Sequence, residues 1–504
     1  MTQNGQNTRT KPSRKKKKTL KITGPCFVST GLLLIAEAAL MILLSATQLI
    51  PSVYLVLGGV LSLVFCAVVF ALTIQPKRGK VIGGAVLAGI LIVISLVADY
   101  YVGRTLSAVR AVANAEVERA TVTFYTLEDN SAQTLEDLAE GSFGILAQLD
   151  RTNTDATLQQ VEQQHQLTLT TVEYANLTQL ADALLNGEVD AIVLNEAYLP
   201  LYEDTPGYED FASRLRQLST QVVEHVVETQ PETDNSDPIV NILISGSDTR
   251  NSTIDSRGRS DVNILVSMNT QTHEILLLST PRDYFVPLDV GVDNAYDKLT
   301  HAGIYGMDVL MGTLENLYGV QIDYYFRINF TGFVDVIDAL GGIQVYSDYT
   351  FDARGAHFEQ GWNTVNGEEA LKFARERYAF KEGDRQRGDN QMEVIKGVLN
   401  KAMNPSVLAS YPAILDSIQD CIDTSVPYDV LAALVRQQLS DNAQWTVESF
   451  SVNGSDAHST TYSMNQELYV MIPDESTVEE AKTKLAAIGN TVEGQASAEQ
   501  QPAA

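Results

Sequence analysis

Cysteine is nearly absent. Three residues in 504 exclude a disulfide-dense scaffold and a zinc site built from four thiolates. Cys26 and Cys66 fall in apolar runs, which leaves Cys421 alone outside them, expected as a buried free thiol. Positive charge is scarce as well: 35 Lys and Arg face 63 Asp and Glu, for a formal net charge of −28. That balance argues against nucleic acid as a partner, since general nucleic-acid binding needs a basic face. The six histidines are scattered, with no His-Glu-x-x-His pair to hold a catalytic metal. His301, the one histidine near other polar clusters, is expected to be a satisfied structural residue. There is no G-x-S-x-G nucleophile elbow, no Walker loop and no dinucleotide fingerprint, and Ser247 has no evident histidine partner. Trp362 and the aromatics of Asp323-Tyr324-Tyr325-Phe326 read as core or pocket wall rather than a base-stacking platform.

What the chain does have begins with long apolar runs. Three follow one another, roughly Pro25–Ile50, Ser52–Ile74 and Val81–Val102. Each is long enough to cross about 30 Å of hydrocarbon as a helix, so the lipid bilayer is the first expected partner. Three consecutive runs without a small-residue cleavage site do not fit a removable signal peptide. Residues 1–24 hold eight Lys and Arg and no acid, whereas residues 101–504 hold 24 Lys and Arg against 61 acids, a net of −37. The run Lys15-Lys16-Lys17-Lys18 and the loop Lys77-Arg78-Gly79-Lys80 are both expected to be cytoplasmic, and the loop from Thr47 to Ser52 is uncharged. The positive-inside rule then predicts a multi-pass protein of the cell membrane, with a cytoplasmic N-terminus and everything after about Gly103 outside. The lysine run reads as a topology anchor near anionic lipid. Glu37 lies inside the first span; an acid there is either functional or a helix-packing contact.

The outer part divides in two. Residues 104–236 hold 23 acids and six Arg but no Lys. Strand-like runs at Thr121–Thr126, Leu167–Val172 and Ala191–Leu194 alternate there with helix-like ones at Thr157–Gln164 and Leu177–Leu185, which predicts a small α/β accessory domain. A polar, proline-punctuated linker runs from Thr229 to Pro238. Buried-type strands are then expected at Ile239–Ser245, Val262–Met268, Glu274–Ser279 and Tyr324–Ile328. Helices are expected at Ile304–Leu317, Gly332–Leu340, Asn390–Ala402 and Val430–Leu439. Helices on both faces of a sheet fit this order, so the fold class is α/β. The expected organisation is a basic tail at 1–24, membrane helices at 25–103, the accessory domain at 104–236, a catalytic domain at 237–489 and a disordered tail at 490–504.

Polar clusters beside apolar elements carry the chemistry. They are Gly246-Ser247-Asp248-Thr249-Arg250, Arg259-Ser260-Asp261, Thr280-Pro281-Arg282-Asp283, Arg375-Glu376-Arg377 and Asp384-Arg385-Gln386-Arg387-Gly388-Asp389-Asn390-Gln391. Residues 238–392 hold ten Arg against three Lys. Arginine presents a planar fork of donors that grips phosphate in two places, whereas lysine is a point charge. Several arginines at strand ends, with acids between them, suggest a pocket for a multiply charged anion. A carboxylate beside a phosphate is repulsive unless a cation intervenes, and Mg²⁺ takes few protein carboxylates and completes its shell with phosphate oxygens and water. Asp248 and Asp261 sit thirteen residues apart across one loop, placed to share such an ion or to pair with Arg250 and Arg259. Arg375 and Arg377 point to one side of an extended chain. Asp384 and Arg387 follow in a Gly-containing loop, and Gln391 is expected in the first turn of the next helix, where free N–H groups favour an anion. A solvated charge run is the alternative. The apolar positions Phe330, Phe333, Val334 and Ile337 share one broad helical face, as core or as the wall of a lipid tunnel.

The series Asn241-Ile-Leu-Ile-Ser-Gly-Ser-Asp248-Thr-Arg250, Arg259-Ser-Asp261, Ser279-Thr-Pro-Arg282-Asp283, Lys298-Leu-Thr-His301-Ala, Gly341-Gly342-Ile-Gln-Val, Gly367-x-x-Ala-Leu-x-Phe-Ala-Arg375-x-Arg377 and Arg387-Gly-x-Asn390-Gln391 resembles the LytR-CpsA-Psr family of Gram-positive bacteria. With three membrane helices and an extra outer domain, it is similar to the capsule-linked members. The resemblance implies an α/β/α catalytic domain with a mixed central sheet. It implies a membrane-anchored phosphotransferase that moves a glycopolymer, capsule or teichoic acid, from polyprenyl pyrophosphate to a peptidoglycan hydroxyl as a phosphodiester, releasing polyprenyl phosphate. Carried onto this chain, Asp248 and Asp261 would hold Mg²⁺ or Mn²⁺. Arg259, Arg282, Arg375, Arg377 and Arg387, with Gln391, would clamp phosphate oxygens, and Asp384 would act as a base or orient Arg387. Phe330, Phe333, Val334 and Ile337 would help enclose the lipid. Capsule or wall-polymer assembly proteins are further implied partners. Asn390 stands where many members carry an arginine, which puts in doubt how many arginines reach the phosphates. Two alternatives use the same residues: a regulator or sensor of envelope polymer synthesis, and a pyrophosphate hydrolase with water in place of the sugar. Only about 24 residues precede the first helix, too few for a DNA-binding domain.

Overall fold

The computed structural model describes residues 24–75, 77–113, 117–226, 238–247, 254, 257–381, 383–404, 421–441 and 443–499, and it falls into two compact units, Met1–Leu106 and Ser107–Ala504. The lysine run at 15–18 lies outside the described residues. In the first unit, helices occupy Gly24–Ala46 and Ser52–Thr73, and a third begins at Arg78. Three stretches are long and apolar enough to cross a membrane: Cys26–Ala46, Ser52–Thr73 and Arg78–Arg104. Pro51 caps the second helix from an extended backbone, which separates it from the first. Glu37 is 8% exposed and accepts hydrogen bonds from Ser62 Oγ at 2.6 Å and Ser95 Oγ at 3.2 Å. One carboxylate thus ties all three helices together, which is the packing role.

Two large sheets organise the second unit, beside four two-stranded ones among the described residues. The first has the order Thr170–Tyr174, Ser142–Leu146, Ala191–Asn195, Val117–Leu127, Leu215–Val226. Its first three strands run parallel, joined through helices Arg151–His165 and Leu177–Leu185, and the last two pair antiparallel. Alternate residues serve opposite faces. Val122 and Phe124 pack with Val161 of one helix, whereas Tyr125 packs with Leu177, Leu180 and Leu184 of the other. That second core also takes in Ile304, Met464 and Leu468 from the chain beyond the linker. The two outer domains therefore share buried apolar surface, and Thr178 adds a hydrogen bond to the Met464 carbonyl at 3.0 Å.

The larger sheet has the order Ile422–Thr424, Tyr324–Asn329, Ile239–Ser247, Val262–Asn269, Glu274–Ser279, Thr446–Ser451. It is mixed: Tyr324–Asn329 and Thr446–Ser451 pair parallel with their neighbours Ile239–Ser247 and Glu274–Ser279, and the other pairings are antiparallel. Leu276 and Leu278 face helices Met307–Tyr318 and Glu475–Glu499, while Ile275 and Leu277 face Met392 of helix Asp384–Ala402. This is the expected α/β/α layering. A smaller module of helices Phe330–Ala339 and Gly367–Arg375 with the hairpin Ile343–Ser347/Gly361–Val365 packs around Phe351, Phe358 and Phe373.

Several elements differ from expectation. The helix expected at Ile304–Leu317 is two helices, Leu299–Tyr305 and Met307–Tyr318, broken at Gly306, whose φ of 138° favours glycine. The helix expected from Asn390 begins at Asp384, so Asp384 and Arg387 are helical rather than in a loop. The final helix continues to Glu499, into the tail expected to be disordered. Val478, Ala481 and Leu485 anchor its start in the core. Strands Ser142–Leu146 and Leu215–Val226 were not expected. Cys26, Cys66 and Cys421 are buried free thiols.

Candidate functional site

Strand direction places the site. Strands Ile239–Ser247, Glu274–Ser279, Tyr324–Asn329 and Thr446–Ser451 all end on one edge, where Gly246 faces Val262 and Ser451 faces Ser279. Ligands of open α/β sheets bind outside such carboxyl ends. The cleft there is lined by Asp261 before one strand, Ser279 to Arg282 after another, and Asp384, Arg387 and Gln391 from the helix above. Those three helical residues are spaced i, i+3 and i+7, so they share one face. Gly388 lets the helix approach closely: a Cβ there would lie 3.0 Å from Ser279 Oγ.

The loop after Ser279 is fixed by its backbone. Thr300 N–H donates to the Arg282 carbonyl and Leu299 N–H to that of Tyr284, both at 2.8 Å. Arg282 Nη1 lies 2.7 Å from Asp261 Oδ1, which also accepts from Thr300 Oγ1 at 3.2 Å. Arg282 Nε is 3.5 Å from Asp283 Oδ2 and is a buried donor with no hydrogen bond among the described residues. Lys298 Nζ lies 3.4 Å from the other Asp283 oxygen. Burial works against the Arg282 charge, but Asp261 and Asp283 outweigh it and hold the guanidinium above its ordinary range. Asp384 Oδ1 lies 2.6 Å from Arg387 Nη2. Burial pushes the Asp384 carboxyl up, against the pull of Arg387 and with support from Asp283.

The remaining expected residues surround this centre. Arg259 Nη1 lies 2.6 Å from Asp204 of the first sheet domain, so Arg259 pairs across the domain boundary and Asp261 pairs with Arg282. Arg375, at the end of its helix, sits over the Phe330 ring at 4.2 Å. Arg377 bonds Tyr378 Oη at 2.7 Å and feels Asp384 electrostatically. Glu376 fixes that turn: its Oε1 accepts from the N–H groups of Arg377, Tyr378 and Ala379 at 3.1, 2.7 and 3.0 Å. Gln391 is two turns inside its helix, so it reaches the cleft by its side chain and not through free N–H groups at a helix start; its Nε2 lies 3.4 Å from the Ala374 carbonyl. Asn390 is buried, donates to the Phe373 carbonyl at 3.2 Å and accepts from Gln386, so position 390 does not line the cleft. Asp248 lies outside the described residues.

On the apolar helix, Ile337 is buried in the core and Phe333 packs against it, whereas Phe330 and Val334 are half-buried outside that cluster. Val334 abuts Gly367, where a Cβ would meet the Val334 carbonyl at 2.3 Å. His301 Nδ1 lies 2.6 Å from Asp297 Oδ1, both buried, the satisfied pair expected. Ser279, Arg385, Ser451 and the cross-domain partner Asp204 are site residues that sequence reasoning missed. Ser279 and Arg385 carried a signal, Ser279 as the first residue of its motif and Arg385 as a second arginine beside Arg387.

Fold and cleft together describe a protein with three helices long and apolar enough to cross a membrane and a cleft of arginines and carboxylates at the edge of a mixed sheet. The family model described as LytR_cpsA_psr family matches residues 207–487, more than half of the chain. The chain is 32% identical over 218 residues to the polyisoprenyl-teichoic acid--peptidoglycan teichoic acid transferase TagU of Enterococcus faecalis, covering 43% of this chain and 71% of the relative. It is 36% identical over 203 residues to the protein of the same name from Oceanobacillus iheyensis, covering 39% and 62%. The crystal structure of B. subtilis TagV aligns at 27% identity and a TM-score of 0.43, covering 51% of this chain and 98% of that one. A second model, DNA polymerase processivity factor, matches residues 80–194, under a quarter of the chain, and shows no family. The chain belongs to the LytR_cpsA_psr family.

Proposed function

We propose that the protein is a membrane-anchored phosphotransferase. It takes a glycopolymer, teichoic acid or capsule, from a polyprenyl pyrophosphate and joins it to a peptidoglycan hydroxyl as a phosphodiester. The observation that carries this reading is the convergence of Arg282, Arg387 and Gln391 with Asp261 and Asp384 in one cleft of a chain with three membrane-crossing helices. The basic loop at Lys77–Lys80 and the basic tail face the cytoplasm, which puts the cleft outside. Capsule or wall-polymer assembly proteins are its proposed neighbours there.

In the reaction, the acceptor oxygen attacks the phosphorus that carries the glycan. The bond from that phosphorus to the bridging oxygen breaks, polyprenyl phosphate leaves, and the acceptor proton passes to Asp384. A carboxyl held above its ordinary range is a stronger proton acceptor than a free aspartate. Arg282 and Arg387 already lie beside carboxylates, so they neutralise charge on phosphoryl oxygens without reorganising. Arg259, Arg375 and Arg377 extend the clamp, and Phe330 and Val334 are the positions left for the lipid. Asp261 has an oxygen to offer a divalent cation: the bonds from Arg282 and Thr300 both fall on Oδ1, so Oδ2 keeps its lone pairs. With Asp248, Asp261 would hold Mg²⁺ or Mn²⁺, which would supply further charge neutralisation on the pyrophosphate.

The test uses the full-length protein in lipid nanodiscs with a radiolabelled glycan on polyprenyl pyrophosphate and isolated peptidoglycan. Label should appear on peptidoglycan in step with released polyprenyl phosphate. Free phosphorylated glycan without label on peptidoglycan would make the enzyme a hydrolase instead.

A further inference from the structure

Where the two outer sheet domains meet, they leave a cleft of about 490 Å³ that shares no residue with the phosphate site. That lies within the range of about 300–1,000 Å³ typical of small-molecule sites. One wall is a row of three tyrosines. The ring centroids of Tyr198 and Tyr305 are 6.2 Å apart, and those of Tyr305 and Tyr462 are 6.5 Å apart. Tyr198 is 1% exposed, yet its hydroxyl has no hydrogen-bond partner among the described residues. A buried hydroxyl left this way forfeits bonds it had in water, so a ligand group that restores one is favoured. Burial, reinforced by Asp150, holds the Tyr198 hydroxyl well above its ordinary range, so it stays a neutral donor.

The rest of the cleft selects against anions. Its cations are committed: Arg257 pairs with Asp150 at 2.9 Å, and Arg151 pairs with Asp155 and Glu173 at 2.8 and 2.7 Å. Asp150 also accepts from Asn153 and Asn195 at 2.6 and 2.8 Å, which makes this floor rigid. Asp289 and Asp308 face the cleft without an ion-pair partner among the described residues. Leu149, Val290 and Val309 supply apolar surface. Aromatic faces, a neutral phenol and open carboxylate acceptors suit a ligand with apolar C–H faces and many hydroxyl donors.

We propose that this cleft binds a neutral oligosaccharide, with a sugar ring against the half-buried Tyr305 and Tyr462 and sugar hydroxyls donating to Asp289 and Asp308. The site goes beyond the transfer reaction and does not depend on it. The test is calorimetric titration of the full-length protein in nanodiscs with tetrasaccharides of N-acetylglucosamine, glucose and galactose. At least one should bind saturably. Tyr198→Phe, which removes one hydroxyl and keeps the ring, should weaken it about three- to ten-fold. The surface pair Asp289→Asn/Asp308→Asn should weaken it at least as much, and Arg387→Ala in the phosphate cleft should leave it unchanged. The proposal is overturned if none of the three sugars saturates by ~10 mM. It is equally overturned if binding ignores Tyr198→Phe and the aspartate pair, or is abolished by Arg387→Ala.

Discussion

Replacing Arg282 by alanine separates its two roles. The side chains of Arg282 and Asp261 are 20% and 14% exposed, so their pair is largely but not wholly buried. Removing the guanidinium strands Asp261 and leaves the buried Asp283 with Lys298 as its cation. The expected destabilisation is about 3 kcal/mol, the low end for a broken buried pair. At about 2–4 °C per kcal/mol for a domain of this size, the midpoint of thermal unfolding should fall by about 6–12 °C. The catalytic loss is separate: deleting one preorganised charge-stabilising donor slows turnover by about 10²–10³. Arg282→Lys keeps the charge and should recover most of the stability, but it loses the planar fork and a large part of the rate. The double variant Arg282→Ala/Asp261→Asn removes the stranded Asp261 charge, so stability should partly return while turnover does not. The assay is release of polyprenyl phosphate at a temperature well below every midpoint. If folded Arg282→Ala turns over within about three-fold of wild type, Arg282 does not stabilise the reacting phosphate.

Other expectations follow from the same geometry. Asp384→Asn should lower kcat/KM by about 10²–10⁴. Because the Asp384 carboxyl is raised, wild-type kcat/KM should fall as pH drops through a value above the ordinary aspartate range, and this acid limb should vanish in the variant; an unchanged limb assigns the proton to another group. Chelation of divalent cations should suppress turnover and added Mg²⁺ or Mn²⁺ should restore it, whereas full activity in excess chelator would remove the cation from the mechanism. Ile337→Ala, in the core, should cost about 2–5 kcal/mol in a denaturant titration. Val334→Ala should instead raise KM more for long-chain than for short-chain polyprenyl donors, and equal effects on both would take Val334 out of the lipid path.

Four strands of the larger sheet were legible because they are short apolar runs bounded by polar clusters, whereas its outer strands Ile422–Thr424 and Thr446–Ser451 were not. Ile239–Ser247, Val262–Asn269 and Tyr324–Asn329 end within two residues of expectation, and Glu274–Ser279 coincides with it. The polar face of helix Asp384–Ala402 was not, since Asp-Arg-Gln-Arg-Gly-Asp has no apolar period and its glycine reads as a loop. In the structure that glycine is what lets the helix reach Ser279. Leu215–Val226 alternates too weakly to announce a strand and is held by its pairing with Val117–Leu127. Residue types at the site could be read from the clustering of arginines at strand ends. Their partners could not, because Asp204 lies 55 residues before Arg259 and nothing local records a contact between two sheets.

The shared apolar face between the outer domains bears on how this architecture could be recombined. A catalytic half transplanted from a relative without the extra domain would bring no counterpart for the surface that Ile304, Met464 and Leu468 bury here. Conversely, cutting out the first sheet would leave those three side chains wet and release Arg259 from Asp204. Chimeras should therefore be joined before Val117, where the first strand begins, carrying both outer domains across as one cassette.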